Sequence, residues 1–343
     1  MSLFCCPDAH KENLIEMIRD IWYVPNGTIY IKLNNITYKL YNEVSQTTAR
    51  DSEGRDMAAR DIESILQDLT GLDWSESAVS SATGGSYLKA RQGEGADATY
   101  YKLSCYDEVS GIYGHECLNE LIAARLMDVL CIEHVPYRLV HARVIIDGHK
   151  HETWLSESRS FRKAGESKTS LAKFFSWNRL EDESRLEFCD RFGWLPAVQK
   201  MMLLDFLIAN RDRHGGNIEV LKRRDGSLRL APLFDNGTSL CFSTYSAQQL
   251  SAIDPLQDIA TNNYLGTHSL EQNLVRFVPR SLPVGRLRAE HRGELLEGLT
   301  PAAEGAVEGV GADELLDFLW HMIWERWCRY EDLRDSGRLQ AQG

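Results

Sequence analysis

Apolar positions recur along this chain with two periods, and the switches between them mark its elements. Leu14, Ile15, Ile18 and Trp22 fall at helical spacing and predict a short amphipathic helix over residues 11–23. Strict alternation follows in Thr28-Ile29-Tyr30-Ile31-Lys32-Leu33 and in Ile36-Thr37-Tyr38-Lys39-Leu40, on either side of Asn34-Asn35, which predicts a hairpin. Residues 57–69 read as another helix, with Gly71 as its C-cap. A helix, a hairpin and a helix suit either a small winged DNA-binding module or an accessory cap. Lys11, Arg19, Lys32, Lys39 and Arg50 are matched by Asp8, Glu12, Glu16, Asp20 and Glu43, so no basic face is evident and the cap is the preferred reading.

From residue 80 the pattern turns to strands. Ser80-Ser81-Ala82-Thr83-Gly84-Gly85-Ser86 is small and polar, and Tyr87-Leu88-Lys89-Ala90-Arg91 reads as a strand leaving it. A turn over 93–97 leads to the strand Thr99-Tyr100-Tyr101-Lys102-Leu103. Alternation puts Tyr101 and Leu103 on one face and Lys102 on the other, where a lysine needs either solvent or a partner charge. Residues 115–129 form a helix that carries Glu116 and Glu120 one turn apart. Strands over 138–146 and 151–155 follow, turned by Asp147-Gly148. His149 and His151 alternate in that hairpin, but with no third ligand nearby they read as exposed histidines rather than a metal site.

The serine-rich stretch 156–185 reads as a connector with a mobile loop, and helical periodicity dominates from Leu195 onward. The run Met201-Met202-Leu203-Leu204-Asp205-Phe206-Leu207-Ile208 predicts a buried helix, which stops at Asn210-Arg211-Asp212-Arg213-His214-Gly215-Gly216-Asn217. A strand-turn-strand closed by Asp225-Gly226 returns the chain to Pro232-Leu233-Phe234-Asp235-Asn236-Gly237. The last long helix, Ala312 to about Leu333, carries Leu315, Leu316, Leu319, Met322, Ile323 and Trp327 as an apolar stripe. The pattern divides into residues 1–75, an accessory segment; 76–157, rich in strands; and 158–343, mainly helical. The fold class is α+β.

Composition narrows the function classes. At 343 residues with 43% hydrophobic and 26% charged positions, the chain suits a soluble protein of two lobes. A net charge of −12 disfavours binding nucleic acid over a broad surface, which leaves residues 1–75 as the one place where such binding is entertained. No run approaches the roughly 18 apolar residues of a membrane span, and the acidic N-terminus does not read as a secretory signal. The eight cysteines form no C-x-x-C pair, as expected of reduced thiols in a cytoplasmic protein.

The string around residue 212 carries the chemistry. Phosphoryl transfer needs a carboxylate for the attacking hydroxyl, oxygen ligands for Mg²⁺, and positive charge on the phosphates. Asp212 can supply the first. Asn217, brought back across Gly215-Gly216, and Asp235, returned by the hairpin, can face one metal ion. A strand lysine paired with a helix glutamate is a device for holding nucleotide phosphates, and Lys102 with Glu120 or Glu116 can form it. Glu120 is preferred because it lies nearer the middle of the helix. The small-residue loop with Ser80, Ser81 and Ser86 can lay backbone N–H groups over phosphates.

Asp212-Arg213-His214-Gly215-Gly216-Asn217, followed by Ala231-Pro232-Leu233-Phe234-Asp235-Asn236-Gly237, resembles the HipA-like kinases, serine/threonine kinases of bacterial toxin–antitoxin systems and their stand-alone relatives. The order is shared with the phosphatidylinositol 3- and 4-kinases. The resemblance spans roughly residues 80–335 and implies a two-lobed protein-kinase-like fold that binds ATP and Mg²⁺ between the lobes. It implies Asp212 as catalytic base with His214 beside it, Asn217 and Asp235 as Mg²⁺ ligands, and Lys102 with Glu120 on the ATP phosphates. Strand 154–158, with Glu157, is similar to the adenine-binding hinge, and Ser86 belongs to the phosphate loop. Ser80, Ser81 or Ser86 corresponds to a loop serine that takes up phosphate. The implied acceptor is a protein hydroxyl, with a translation factor as the family's precedent, and an antitoxin-like regulator is the implied partner. A lipid kinase and a catalytically silent nucleotide-binding regulator are the competing readings.

Overall fold

The alternation in the first forty residues is realised as a small antiparallel sheet. The protein, seen in a computed structural model, is described at residues 18–23, 29–33, 36–40, 61–76 and 88–341, and it divides into two units, Met1–Arg60 and Asp61–Gly343. In the first unit β1 (Ile18–Tyr23), β2 (Ile29–Leu33) and β3 (Ile36–Leu40) pair in that order. The hairpin register places Leu33 opposite Ile36, as two central residues at 34–35 require. The helix expected over 11–23 is corrected where it is described, since 18–23 is a strand with Trp22 opposite Tyr30. Its Ile and Trp positions satisfy either period, and β-branched and aromatic residues are favoured in strands. Residues 11–17 lie outside the described residues.

The second unit begins with another correction: Ile62–Asp68, inside the helix expected over 57–69, is strand β4. β5 (Trp74–Glu76), β6 (Leu88–Gln92) and β7 (Thr99–Lys102) follow, then the small pair β8 (Cys105–Asp107) and β9 (Gly111–Tyr113), and helix α1 (Glu116–Leu130). β10 (Tyr137–Ile146) and β11 (His149–Arg159) complete a six-stranded sheet in the order β4-β10-β11-β7-β6-β5, with only β4 and β10 parallel among its described pairs. A boundary between residues 75 and 76 therefore falls inside strand β5 of this sheet. Among the described residues no group of three His, Cys, Asp or Glu could hold a metal ion, His149 and His151 included.

The register fixes the two faces of the sheet. Leu139, Ser156, Lys102 and Lys89 stand opposite one another across β10, β11, β7 and β6, so one row on one face runs through all four strands. The next row, Arg138, Glu157, Tyr101 and Ala90, points to the other face. There Leu88, Ala90, Tyr101, Leu103, Val140, Ala142, Val144, Ile146 and Leu155 make a core of their own. Tyr137 and Leu139 instead join α1 in the main core.

The C-terminal part is helical. The stretch expected as a connector over 156–185 carries secondary structure between its loops: β11 runs on to Arg159, β12 (Ser167–Ser170) pairs with β13, and α2 (Leu171–Asn178) follows directly. Next come α3 (Arg185–Arg191), α4 (Leu195–Leu207), the hairpin β13 (Glu219–Lys222) and β14 (Leu228–Leu230), α5 (Ala247–Ser251), α6 (Leu270–Phe277), α7 (His291–Leu296), α8 (Thr300–Ala303) and α9 (Ala312–Asp335). From Met201 to Leu207 every residue of α4 is buried, as an all-round apolar helix must be. α9 buries Leu315, Leu316, Leu319, Met322, Ile323 and Trp327, the stripe expected of it. Trp320 and Trp324 stack beside that stripe at 5.6 Å. The chain is thus α+β, with its large sheet in the N-terminal part and its helices in the C-terminal part. Among the described residues no helix is long and apolar enough to cross a membrane.

Candidate active site

α4 ends in a way that aims the following loop. Ala209 takes the left-handed conformation (φ 51°) just past the helix, the Ala209 N–H donates to the Phe206 carbonyl, and the Asn210 N–H donates to that of Asp205 at 2.9 Å. These are the two bonds of a Schellman motif, with alanine where glycine is usual. The chain then turns sharply into Arg211-Asp212-Arg213. Gly215 packs so closely that a β-carbon there would lie 2.8 Å from the Ala172 methyl and 2.9 Å from the Tyr264 ring, so a side chain would push the loop off its bed.

Arg213 anchors this loop from beneath. Its guanidinium is fully buried and donates to both oxygens of Asp205, to the Phe234 carbonyl at 2.9 Å and to Asn236 Oδ1 at 2.7 Å. One side chain thereby ties α4 to the residues on both sides of Asp235, to the backbone of Phe234 and the side chain of Asn236. Asn210 Nδ2 donates to the same Asp205 carboxylate at 2.9 Å. A buried charge satisfied on every side fixes geometry well, and removing either partner would strand the other.

Above this anchor the candidate residues converge on one cleft of about 220 Å³, lined by Lys89, Lys102, Glu120, Asp212, Asn217 and Asp235 among others. Lys102 Nζ lies 2.7 Å from Glu120 Oε1 and 2.7 Å from Asp235 Oδ1. Burial alone would push the Lys102 ammonium down, but Asp235 and Glu120 outweigh it and hold its pKa well above the usual lysine value. For Asp235 burial acts upward, and the charges of Lys102, Lys89 and Arg213 carry it well below the usual carboxylate range. Glu120 also accepts the Asn236 N–H on Oε2 at 2.8 Å, so α1 holds the strand lysine and the Asp235 loop together. Glu116, the alternative on the same helix, accepts the Cys105 N–H on Oε2 at 3.2 Å and also lines the cleft.

The Asp212 N–H donates to Asn210 Oδ1 at 3.1 Å, the Asp212 carbonyl accepts from Asn217 Nδ2 at 2.9 Å, and Asn262 Nδ2 donates to Asp212 Oδ1 at 3.1 Å. With its amide nitrogen used in this way, Asn217 keeps its side-chain oxygen for another partner. His214 Nδ1 accepts the Gly216 N–H at 2.9 Å, which puts the proton of a neutral ring on Nε2, 3.8 Å from Asp212 Oδ2.

The structure thus brings Lys102, Glu120, Asp212, His214, Asn217 and Asp235 to one place. It does not bring the Glu157 side chain there. The period of two turns Glu157 to the opposite face, where it meets Arg138 Nη1 at 3.2 Å, and Ser156 faces the cleft in its stead. Ser80, Ser81 and Ser86 lie outside the described residues. Several contributors escaped the sequence reading. Lys89 stands opposite Lys102 in the strand register with Nζ 3.6 Å from Asp235 Oδ2, and its alternation after a glycine loop was a usable signal. The Tyr137 hydroxyl accepts the Asp235 N–H at 3.2 Å, and Asn262 orients Asp212; neither carries any local sequence signal.

Asp235 and the Asn217 oxygen are hard oxygen donors of the kind Mg²⁺ takes when nucleotide phosphates complete its shell, so the residues present fit that ion. Two lysines, Lys102 and Lys89, stand side by side at the end of the same row and line the cleft. Fold and site together define an α+β chain with a cleft lined by two lysines and several carboxylates between a sheet and a helical body. No family model matches the chain, and no curated protein does. Among solved structures it is similar to the Helicobacter pylori proinflammatory kinase CtkA, with a TM-score of 0.47 and 14% identity over 80% of this chain and 97% of that one. It is also similar to HipA of the Shewanella oneidensis MR-1 toxin–antitoxin system, solved with HipB and operator DNA, with a TM-score of 0.40 and 18% identity over 75% of this chain and 66% of that one.

Proposed function

We propose that the chain is an ATP- and Mg²⁺-dependent kinase that transfers the γ-phosphate to serine or threonine hydroxyls of a protein. The observation that carries this reading is Lys102, held at 2.7 Å by both Glu120 and Asp235 in the cleft that Asp212 and Asn217 also line. A cation, a metal-competent carboxylate and a separately oriented second carboxylate in one cleft are the parts that phosphoryl transfer needs.

In this reading Asp212, oriented by Asn262, accepts the proton of the acceptor hydroxyl while that oxygen bonds to the γ-phosphorus. The bond from phosphorus to the bridging oxygen breaks, and its electron pair leaves with ADP. Lys102 and Lys89 place positive charge on the phosphates. Asp235 and Asn217 would hold Mg²⁺, which when bound offsets the charge of the polyphosphate. An antitoxin-like regulator belongs to this reading as the kind of partner its resemblance suggests.

Incubating the purified chain with γ-labelled ATP and Mg²⁺, alone, with a bacterial lysate and with phosphoinositide vesicles, tests the acceptor. Label is expected on protein serine or threonine; label on lipid, or on nothing, would contradict it.

A further inference from the structure

Trp177 and Leu180 are 70% and 59% exposed, and they stand three positions apart where α2 ends. Only three other large apolar side chains, Ile65, Val109 and Leu256, are exposed among the described residues. An exposed tryptophan beside arginines has the composition of an interface rather than of a solvated face. The stretch borders a pocket of about 370 Å³ lined by Phe175, Arg179, Glu183, Ser184, Arg185 and Leu265 among others. The charges of this pocket do not balance. Glu183 is taken up by Arg191, with Nε at 2.6 Å and Nη2 at 2.8 Å, and its Oε2 also accepts the Leu180 N–H at 2.9 Å. Neither Arg179 nor Arg185 makes an ion pair among the described residues, although Glu181 and Asp182 stand exposed on the same turn.

An exposed guanidinium is at ease in water, so the lack of an acidic partner alone marks no site. Here each one is also held in place. Arg179 lies 5.7 Å from the centre of the Phe175 ring and Arg185 4.2 Å from that of Tyr264, and Arg185 Nη1 donates to the Tyr264 carbonyl at 2.8 Å. A guanidinium lodged against a ring gives up less rotamer freedom on meeting an anion, and its remaining N–H groups can take a carboxylate. Tyr264 sets where the pocket lies. Its N–H donates to the Arg213 carbonyl at 3.0 Å, a β-carbon on Gly215 would lie 2.9 Å from its ring, and Asn262, two residues earlier, orients Asp212. Arg185 is thus one aromatic ring away from the loop that carries Asp212.

We propose that this pocket docks an acidic side chain of the acceptor protein, a glutamate or aspartate that flanks the phosphorylated hydroxyl. Arg179 and Arg185 receive its carboxylate, and Trp177 and Leu180 cover the adjoining segment. The inference rests on the kinase reading, and it names the acceptor class which that reading leaves open. Such a preference runs against the overall charge. A chain of net charge −12 repels acidic peptides and attracts basic ones, so selection of glutamate needs a local receptor.

Two measurements on the full chain test this, with three fluorescein-labelled peptides that carry a central serine flanked by glutamates, by alanines or by lysines. In the first, fluorescence anisotropy without nucleotide reads binding alone. Wild type should bind the glutamate peptide at least about tenfold more tightly than the alanine peptide, and Arg179→Glu/Arg185→Glu should reverse the order in favour of lysine. Arg179→Glu alone should remove much of the preference with Tm unchanged, because the Arg179 guanidinium makes no hydrogen bond among the described residues. Equal binding of the three peptides, tighter binding of the lysine peptide by wild type, or a glutamate preference that survives the double charge reversal overturns the inference. In the second, γ-labelled ATP and Mg²⁺ are added, and transfer to the same serines is measured beside transfer to the proteins of a bacterial lysate. Label is expected to favour the glutamate peptide. Label that favours the alanine or lysine peptide overturns the inference alone. Label on no peptide and no protein overturns the kinase reading, and the acceptor assignment with it.

Discussion

Lys102 donates to Asp235 Oδ1 across 2.7 Å, which joins a strand of the large sheet to the loop that closes the helical body. The contact ties stability to activity, because Glu120, only 2% exposed, shares the same ammonium. Lys102→Met should lower kcat/KM for ATP by at least about 10²-fold, the order expected for losing one charge-stabilising group. It should also cost about 3–5 kcal/mol in stability, because it strands a buried carboxylate. In the double variant Lys102→Met/Glu120→Gln, urea denaturation should show stability recovered in large part while activity stays lost. Recovery of activity along with stability would contradict a role for Lys102 on the phosphates.

The same pair titrates only at the extremes of pH. The Asp235 pKa is depressed, so its contribution is complete above the unfolded carboxylate value and is lost only as pH falls below about 4. The Lys102 pKa is raised, so its contribution is complete below the unfolded lysine value near 10.4 and fades only above it. Between pH 5 and 9 neither titrates. His115 does respond inside that window. It is fully buried and its pKa is pushed down to about 4 by burial, so the unfolded chain binds its proton first as pH falls. Stability should therefore fall from about pH 6.5 towards pH 4, by up to ~3 kcal/mol from this residue. Urea denaturation at stepped pH should show that decline in wild type and a flatter curve in His115→Gln. Parallel curves would contradict it.

Arg213 and Asp205 support the site from below, with both side chains essentially inaccessible to solvent. Arg213→Met should destabilise by about 3–5 kcal/mol, since the Asp205 carboxylate would stay buried without its counter-charge. A loss under about 1 kcal/mol in urea denaturation would mean that solvent reaches Asp205 more easily than its burial indicates.

The site was more legible than the fold around it. Asp212, Asn217 and Asp235 stand at the ends of strongly patterned elements, and the spacing of glycines and turns was enough to bring them together. Lys102 could be placed because alternation in β7 put it on the face away from Tyr101 and Leu103, and Glu120 was chosen over Glu116, one turn away, because it lies nearer the middle of α1. What failed were segments whose structure depends on distant partners. Ile62–Asp68 is a strand because it lies parallel to β10, a pairing with no trace in its own half-alternating pattern. Ser167–Ser170 is polar enough to read as a loop, yet it forms a ladder with β13. Asn262, which orients Asp212, reaches it through backbone pairing of the 262–264 stretch with residues 211–213, a contact only the folded chain creates.

The central claim is that Asp212 drives phosphoryl transfer in this cleft. The most direct measurement is transfer of label from γ-labelled ATP to protein serine or threonine by wild type and by Asp212→Ala, with circular dichroism and urea denaturation establishing that both are folded. The account predicts labelling by wild type and a loss of at least about 10²-fold in the variant. Equal labelling by a folded Asp212→Ala protein would contradict it.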